Sequence, residues 1–216
     1  MRRVLITGAN RGLGLAFTKV ALARGDSVYA ACRSPDNAAD LHTLEPTVRG
    51  RLDIVRLDLA RPAEFADVRR ALEAKGEWLD LLVNNAGIYI RSAEVEPEAS
   101  HLSIRSMRAE STLRMFEINT VAPMVLTREL LPRIRPREGS IIAFLSSGMA
   151  SIGRKAGAEV EFSYSASKAA LNMLVRVLAH ELRPDRIAVT ALNPGWVATD
   201  MGTPAAPLQP DQVAAS

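Results

Sequence analysis

Tyr164 and Lys168 bring a phenol and an ammonium within four residues of each other, in the stretch Tyr164-Ser165-Ala166-Ser167-Lys168. On a helix, side chains at this spacing share one face, with Cβ atoms roughly 5–6 Å apart. A free tyrosine titrates at about pH 10, and a fixed cation beside it favours the phenolate and lowers that pKa. The pair could therefore exchange a proton with a bound substrate. Because solvated helices also carry Tyr and Lys at this spacing, the rest of the chain must decide.

A second candidate site is the glycine-rich stretch Thr7-Gly8-Ala9-Asn10-Arg11-Gly12-Leu13-Gly14, which follows the first predicted strand and opens a predicted helix. Glycines at such points let the backbone turn tightly and approach a pyrophosphate, which the N–H groups of a helix N-terminus bind. The spacing Gly-x3-Gly-x-Gly differs from the commoner fingerprint G-x-G-x-x-G. A plain tight turn is the alternative, but three glycines in seven residues favour a dinucleotide site.

The end of the second predicted strand distinguishes between coenzymes. An NAD site places an acidic residue about 20 residues beyond the glycine loop. Here Ala30-Ala31-Cys32-Arg33 contains none, and no acid occurs between Asp26 and Asp36. Arg33, with help from Arg11 in the loop, could instead pair with a 2′-phosphate through two parallel hydrogen bonds. Two solvated arginines are the alternative, but their positions favour NADP(H).

Strand-like and helix-like segments alternate along the chain, which predicts a Rossmann-like, doubly wound parallel α/β sheet with helices on both faces. The predicted strands are residues 4–6, 27–32, 52–57, 79–83, 140–145 and 187–192. The predicted helices are residues 13–24, a helix that starts at Pro62, residues 112–134 and 163–183, and a first turn that starts at Pro210. No repeat or linker divides the chain, so residues 1–216 are predicted to form a single NADP-binding domain.

Composition limits the classes of protein that the chain can be. Its 216 residues suffice for one core, and 27 basic against 24 acidic residues give a formal charge of only +3. The arginines are scattered, so no nucleic-acid partner is predicted. No apolar run approaches the length of a signal or membrane segment, which predicts a cytoplasmic protein without membrane contact. One cysteine excludes an internal disulfide, and three histidines without ligand spacing give no metal site.

The glycine loop and the Tyr-x3-Lys pair together resemble the short-chain dehydrogenase/reductase family, and the resemblance covers nearly the whole chain. Asn84-Asn85-Ala86-Gly87 resembles the family's NNAG motif, and Asp58-Leu59 is similar to the pair that brackets the adenine ring. Asn193-Pro194-Gly195-Trp196-Val197-Ala198-Thr199 resembles the loop that closes on the nicotinamide. The resemblance implies a coenzyme site made of Gly8, Asn10, Arg11, Gly12, Leu13, Gly14, Arg33, Asp58, Leu59, Asn85, Ala86, Gly87, Tyr164, Lys168, Pro194, Gly195, Val197 and Thr199.

The resemblance also implies a catalytic set. Ser147 would orient the substrate carbonyl, and Tyr164 would donate the proton. Lys168 would lower the pKa of the phenol and bind the nicotinamide ribose, while Asn119 would hold a relay water. The small C-factor-like carbonyl reductases are the most similar members, which implies reversible hydride transfer between NADPH and a small aldehyde or ketone.

Two departures from the family pattern bear on these expectations. Ser147 and Tyr164 lie a few residues farther apart than usual, and the added residues, 154–161, leave Ser146 as an alternative to Ser147. The family usually continues into another helix and a seventh strand. Because this sequence stops at Ser216, we expect a truncated chain and a sheet without its last strand.

Other functions on the same scaffold stay open at this stage. A coenzyme-binding regulatory or signalling protein of the C-factor type is one alternative, and a dehydratase or epimerase is another. The four filled catalytic positions favour the reductase. Apolar residues in the two long predicted helices, together with the family's habit of pairing there, predict a homodimer or homotetramer. Residues 88–92, residues 154–161 and the segment after Thr199 should line the substrate pocket, but they identify no particular small-molecule substrate.

Overall fold

The six predicted strands form one parallel sheet. A computed structural model of the chain describes residues 1–89, 104, 107–154 and 161–216. The strands are β1 Arg3–Thr7, β2 Ser27–Cys32, β3 Leu52–Arg56, β4 Leu81–Asn84, β5 Ser140–Leu145 and β6 Ile187–Leu192. They pair in the order β3-β2-β1-β4-β5-β6, and every pairing is parallel. The predicted Rossmann-like architecture is confirmed.

Helices connect the strands within the described residues. They are α1 Gly12–Ala23, α2 Ala39–Leu44, α3 Phe65–Ala74, α4 Ala109–Phe116, α5 Ala122–Leu130, α6 Phe162–Glu181 and α7 Pro210–Ala215. Helix α2 was not predicted from the sequence; it is six residues long and buries only Leu41. Pro62 begins a 3-10 turn, and α3 itself begins at Phe65. The predicted fourth strand began too early, because Leu79 makes only an isolated bridge to Ile134.

The two faces of the sheet bury separate apolar cores. Successive side chains of a strand point to opposite faces, and the buried β1 residues divide accordingly. Leu5 packs in a cluster with residues of α3, α5 and α6. Val4 and Ile6 pack in a second cluster with residues of α1 and α2. Each such side chain, once buried, contributes roughly 1.5–3 kcal/mol, so both faces must stay covered for the sheet to be stable.

The long helix predicted over residues 112–134 is interrupted, which corrects that prediction. A π turn, Glu117–Val121, separates α4 from α5, and the Ala122 N–H donates to the Glu117 carbonyl across it. Pro123 explains the break, because proline has no N–H to donate and its ring crowds the carbonyl four residues earlier, that of Asn119. The π turn therefore places Asn119 at the widened point of the helix, facing the carboxyl end of β4.

The carboxyl ends of β1 and β4 meet where the strand order reverses, which is the usual ligand crevice of such sheets. Thr7 ends β1, and its Oγ1 accepts the N–H groups of Asn85 and Ala86, both at 3.0 Å. Asn85 Nδ2 in turn donates to the Thr7 carbonyl at 2.8 Å. The glycine loop after β1 and the Asn-Ala-Gly segment after β4 are thus held side by side.

Two searches over the described residues bear on other classes of function. No helix there is long and apolar enough to cross a membrane. No group of three or more His, Cys, Asp or Glu side chains there is placed to hold a metal ion. The absence of metal and membrane partners stays a prediction from the sequence.

Gly14 should be the least replaceable residue of the glycine loop. A Cβ added to it would lie 2.1 Å from the Gly8 carbonyl oxygen, a backbone atom that cannot rotate away. We expect Gly14→Ala to destabilise the fold by about 1–3 kcal/mol, as other overpacked sites do. The matched control is Gly153→Ala, whose Cβ would meet nothing within 4 Å. Equal thermal unfolding midpoints for the two variants would contradict this prediction.

Candidate active site

The four predicted catalytic residues converge at the carboxyl ends of β4 and β5. Tyr164 and Lys168 lie in the first half of α6, Asn119 in the π turn, and Ser147 directly after β5. Tyr164, Lys168 and Asn119 are 9%, 5% and 1% exposed. Tyr164 makes a side-chain hydrogen bond with Ser147, and the Lys168 Nζ lies 6.0 Å from the centre of the Tyr164 ring. Three separate segments of the chain therefore bring these side chains together, with Tyr164, Lys168 and Asn119 buried and Ser147 half-buried.

Lys168 is a buried cation with one strong acceptor. Its Nζ donates to the Leu145 carbonyl at 2.7 Å. A Cβ on Gly87 would lie 3.5 Å from the same nitrogen and 3.1 Å from Asn119 Oδ1, so the chain after β4 fits closely over the ammonium. Burial disfavours the charged form and lowers the pKa of Lys168 to about 8. The lysine can therefore release its proton near neutral pH.

The pKa of Tyr164 moves in the direction opposite to the predicted one. Burial raises the pKa of the phenol, and the hydrogen bond with Ser147 only partly opposes that rise. The reason is geometric, because the Lys168 Nζ turns to the Leu145 carbonyl rather than to the phenol oxygen. With its Nζ on the Leu145 carbonyl, Lys168 does not lower the pKa of Tyr164. Tyr164 therefore holds its proton at neutral pH.

The choice between the two serines follows from their hydrogen bonds. Ser146 Oγ donates to Asn172 Oδ1 at 2.6 Å, which ties the end of β5 to α6. Ser147 Oγ accepts the Met149 N–H at 3.2 Å and is the hydroxyl bonded to Tyr164. Ser146 is thus engaged in structure, whereas Ser147 stands beside the phenol. The geometry favours Ser147 as the substrate-orienting hydroxyl, a role that stays a prediction.

The side-chain amide of Asn119 hydrogen-bonds to other groups of the protein. Its Oδ1 accepts the Ile88 N–H at 2.8 Å, and its Nδ2 donates to the Ile88 carbonyl at 2.9 Å. Nδ2 also lies 3.3 Å from Ser167 Oγ. The amide thus pairs with Ile88 as a neighbouring strand would. These contacts fix the chain after β4 beside Asn119, and the relay water expected at Asn119 stays a prediction.

The glycine loop has the features that a pyrophosphate requires. Gly8 and Gly12 adopt φ values of +65° and +52°, which glycine tolerates best. Helix α1 then begins at Gly12, and no side chain caps its N-terminus. Its first N–H groups therefore have no intrahelical acceptor and point toward the position of a bound anion. Gly14 also lets the start of α1 pack closely on Gly8, because a Cβ there would lie 2.1 Å from the Gly8 carbonyl oxygen.

The arginines predicted to read a 2′-phosphate lie at the surface. Arg33 is exposed directly after β2, and its carbonyl accepts the Arg56 Nη1 at 3.0 Å. Arg11 is exposed too, but its guanidinium is paired with Asp200 at 2.7 Å. Arg33 is thus available to an anion, while Arg11 would first have to leave Asp200. Nearby, the Asp58 carboxylate accepts the Ala60 N–H, and Leu59 is buried.

The loop after β6 lies against the glycine loop, as expected for a segment that closes a cleft. A Cβ on Gly12 would lie 3.1 Å from Thr199 Cγ2, so Thr199 touches the start of α1. Gly195 has φ of +79°, and its N–H donates to Asn193 Oδ1. Val197 is buried at 4% exposure and bridges to Leu208. Pro194 and the rest of the loop thus border the cleft from the β6 side.

Tyr89 and Glu161, which fall in the predicted pocket ranges 88–92 and 154–161, lie at the site and contact each other there, a role that the sequence analysis did not assign to them. The Tyr89 ring lies against the Tyr164 ring, and its hydroxyl bonds to Glu161. Their positions in the sequence indicated that they could lie near the site, because Tyr89 closely follows the Asn-Asn-Ala-Gly motif and Glu161 ends the predicted insertion. The remaining predicted pocket residues 90–92 and 155–160 lie outside the described residues.

Comparison with known proteins gives consistent matches along the chain. A family model described as short chain dehydrogenase matches residues 2–209. The carbonyl reductase Sniffer of D. melanogaster is similar with a TM-score of 0.87 and 31% identity, over 99% of this chain and 88% of that chain. An NADPH-bound carbonyl reductase from chicken fatty liver is similar with a TM-score of 0.87 and 32% identity, over 100% of this chain and 84% of that chain. C-signal of Myxococcus xanthus is 35% identical over 136 residues, 62% of this chain and 76% of that protein.

The buried Lys168 should make stability rise with pH above about 8. Between its folded pKa of about 8 and its ordinary value of 10.5, the unfolded chain keeps a proton that the folded chain has released. The free energy of unfolding then increases with pH, by up to about 3 kcal/mol. We expect Lys168→Met to abolish this contribution. Urea unfolding of both proteins between pH 7.5 and about 10 tests it, and parallel stability curves would refute it.

Proposed function

The chain belongs to the short-chain dehydrogenase family, and we propose that it is an NADPH-dependent oxidoreductase. Its reaction would be hydride transfer to a small aldehyde or ketone, or the reverse oxidation of an alcohol. The observation that carries the proposal is the buried cluster in which Tyr164 bonds to Ser147 beside Lys168. A protein that only bound the coenzyme would have no use for a protonated phenol held at that point.

The coenzyme part of the proposal rests on the glycine loop and on the charge at the end of β2. The uncapped N-terminus of α1 fits a pyrophosphate, and the exposed Arg33 fits a 2′-phosphate. The similar carbonyl reductase from chicken fatty liver is bound to NADPH. When bound, the nicotinamide coenzyme supplies or accepts the hydride. The protein would supply position and electrostatics.

The residues of the cluster divide the remaining work. Ser147 would hydrogen-bond the substrate carbonyl oxygen, and Tyr164 would donate its proton to that oxygen as charge develops on it. Lys168, with its pKa lowered to about 8, could return a proton to the phenol and so restore the site. Asn119 would keep the chain after β4 in place through its two bonds to Ile88.

A signalling role is the second candidate, since the chain is similar to C-signal of Myxococcus xanthus. The two roles differ in what they demand of Tyr164. Signalling by a coenzyme-bound surface would not need the phenol hydroxyl, whereas carbonyl reduction would. A Tyr164→Phe variant therefore separates the two roles.

Replacing Tyr164 with Phe should stop the chemistry and leave the coenzyme bound. The change removes the proposed proton donor but keeps the ring, so turnover should fall by about 10² to 10⁴. NADPH affinity should stay within a few-fold of wild type. NADPH oxidation over a panel of aldehydes and ketones gives the rate, and fluorescence titration gives the affinity. Tyr29→Phe, which removes a buried phenol hydroxyl from β2, is the control. Wild-type turnover in the Tyr164 variant would disprove the mechanism.

Replacing Arg33 with Asp should reverse the coenzyme preference. The acid would repel a 2′-phosphate and could accept a hydrogen bond from a ribose hydroxyl. We expect weaker NADPH binding and stronger NADH binding, measured as dissociation constants for both coenzymes. Arg24→Asp makes the same charge change at an exposed residue after α1 and should leave both constants unaltered. If the wild-type protein binds NADPH and NADH equally, the assignment of Arg33 is wrong.

We further propose that the protein is a homo-oligomer assembled through α4 and α6. These two helices expose large apolar side chains, among them Leu113 at 69%, Met173 at 66% and Val177 at 56%. Large apolar side chains exposed on two neighbouring helices are typical of an interface. Light scattering at micromolar concentration should report a dimer or tetramer, and Val177→Glu should shift it toward monomer. Ile152→Glu, at an exposed apolar residue outside both helices, should not. A monomeric wild type would contradict the proposal.

A further inference from the structure

Tyr89 is held at both ends, which is unusual for a residue in a connection. On the main-chain side, its neighbour Ile88 is fixed by two hydrogen bonds to the Asn119 amide, of 2.8 and 2.9 Å. On the side-chain side, the Tyr89 hydroxyl donates to Glu161 Oε1. The ring between these two points has little freedom to swing.

The fixed ring of Tyr89 lies directly against Tyr164. The two ring centres are 5.1 Å apart, and their planes meet at 74°, an edge-to-face contact. Such contacts are directional as well as attractive. Because Ser147 bonds to the Tyr164 hydroxyl and Tyr89 packs on its ring, the phenol is located from two sides. Displacing Tyr89 would remove the ring contact and leave only the hydrogen bond to Ser147 to locate the phenol.

Glu161 is a costly residue for a purely structural contact. It is only 9% exposed, and no ion pair of Glu161 occurs in the described part of the chain. Burying a carboxylate costs free energy, whereas burying a leucine at the same position would not. Glu161 is also the residue before α6, and its carbonyl accepts the Ser165 N–H at 3.1 Å. Its position is therefore fixed to the same helical turn that carries Tyr164.

We propose that Tyr89 and Glu161 form a positioning pair for Tyr164. Glu161 holds the Tyr89 hydroxyl, and the Tyr89 ring holds the phenol of Tyr164 in the orientation that reaches Ser147 and a substrate oxygen. The pair connects the chain after β4 to the start of α6, so the proton donor is fixed across the cleft and not by its own helix alone. This inference rests on the proposed role of Tyr164 as proton donor.

The first test observes the Tyr164 ring directly and needs no turnover. A 3-fluorotyrosine at position 164 should give one sharp 19F resonance in the otherwise wild-type protein. Tyr89→Phe and Glu161→Leu should each broaden or split that resonance, because each removes the hydrogen bond between the pair. Glu161→Gln should preserve it, since the amide oxygen still accepts the Tyr89 proton. Glu138→Leu is the exposed control. An unchanged resonance in both Tyr89→Phe and Glu161→Leu would overturn the inference.

The second test measures catalysis with unlabelled protein. Tyr89→Phe and Glu161→Leu should each lower kcat by about ten- to a hundredfold, the scale of a misplaced catalytic group, with the NADPH dissociation constant unchanged. The solvent deuterium isotope effect on kcat should rise, because proton transfer from a loosened Tyr164 becomes slower. A mere loss of folded enzyme would leave that effect unaltered. The double variant should be no worse than the worse single one, and additive losses would overturn the pairing.

The two tests separate failure of this inference from failure of the proposed function. A wild-type protein that reduces no carbonyl compound would refute the reductase proposal, while the 19F measurement would still decide whether Tyr89 and Glu161 position Tyr164. If the wild-type protein reduces carbonyl compounds and the Tyr89→Phe and Glu161→Leu variants behave identically to it, the reductase proposal stands. The positioning role of Tyr89 and Glu161 is then refuted.

Discussion

The burial of the Lys168 ammonium is the constraint on which the construction of the site depends. A charge removed from water must find other dipoles, and the Leu145 carbonyl at the end of β5 supplies one at 2.7 Å. The neighbouring chain then has to fit around the nitrogen. Gly87 does so because it carries no side chain, since a Cβ there would lie tightly against Asn119 Oδ1, at 3.1 Å, and in contact with Lys168 Nζ, at 3.5 Å. Asn119 reaches this position because Pro123 forces a π turn into the helix below it.

Much of this arrangement could be predicted from the sequence, because its causes are local. The alternation of strand-like and helix-like segments predicted the parallel sheet, and the glycine spacing predicted the loop after β1. The Tyr164 and Lys168 spacing placed both side chains on one helix face. Helix boundaries were accurate to within about three residues, apart from the helix containing Pro123. A proline near the start of a helical turn is compatible with several local geometries, so its effect on Asn119 was not foreseeable.

The errors concern quantities that depend on three-dimensional surroundings. Sequence spacing put a cation near the Tyr164 phenol and so predicted a lowered pKa, but burial acts in the opposite direction and is larger. Spacing also could not show that Lys168 would turn to a main-chain carbonyl. Similarly, Arg11 in the glycine loop is paired with Asp200, a residue 189 positions away. Because both of those side chains are exposed, that ion pair is worth little free energy, and an incoming phosphate could replace it.

The opposite pKa shifts of Tyr164 and Lys168 have a common cause and a chemical consequence. Both groups are buried, and burial favours the neutral form of each, so the phenol keeps its proton and the ammonium gives one up more readily. The site therefore holds a proton on Tyr164, where the proposed carbonyl reduction would need it. Alcohol oxidation would instead need a phenolate, and the site would have to gain a positive charge before it could stabilise one. Burial of the two groups thus favours the proposed reduction, whereas the positive charge of an oxidised nicotinamide ring, when bound, would favour the reverse direction.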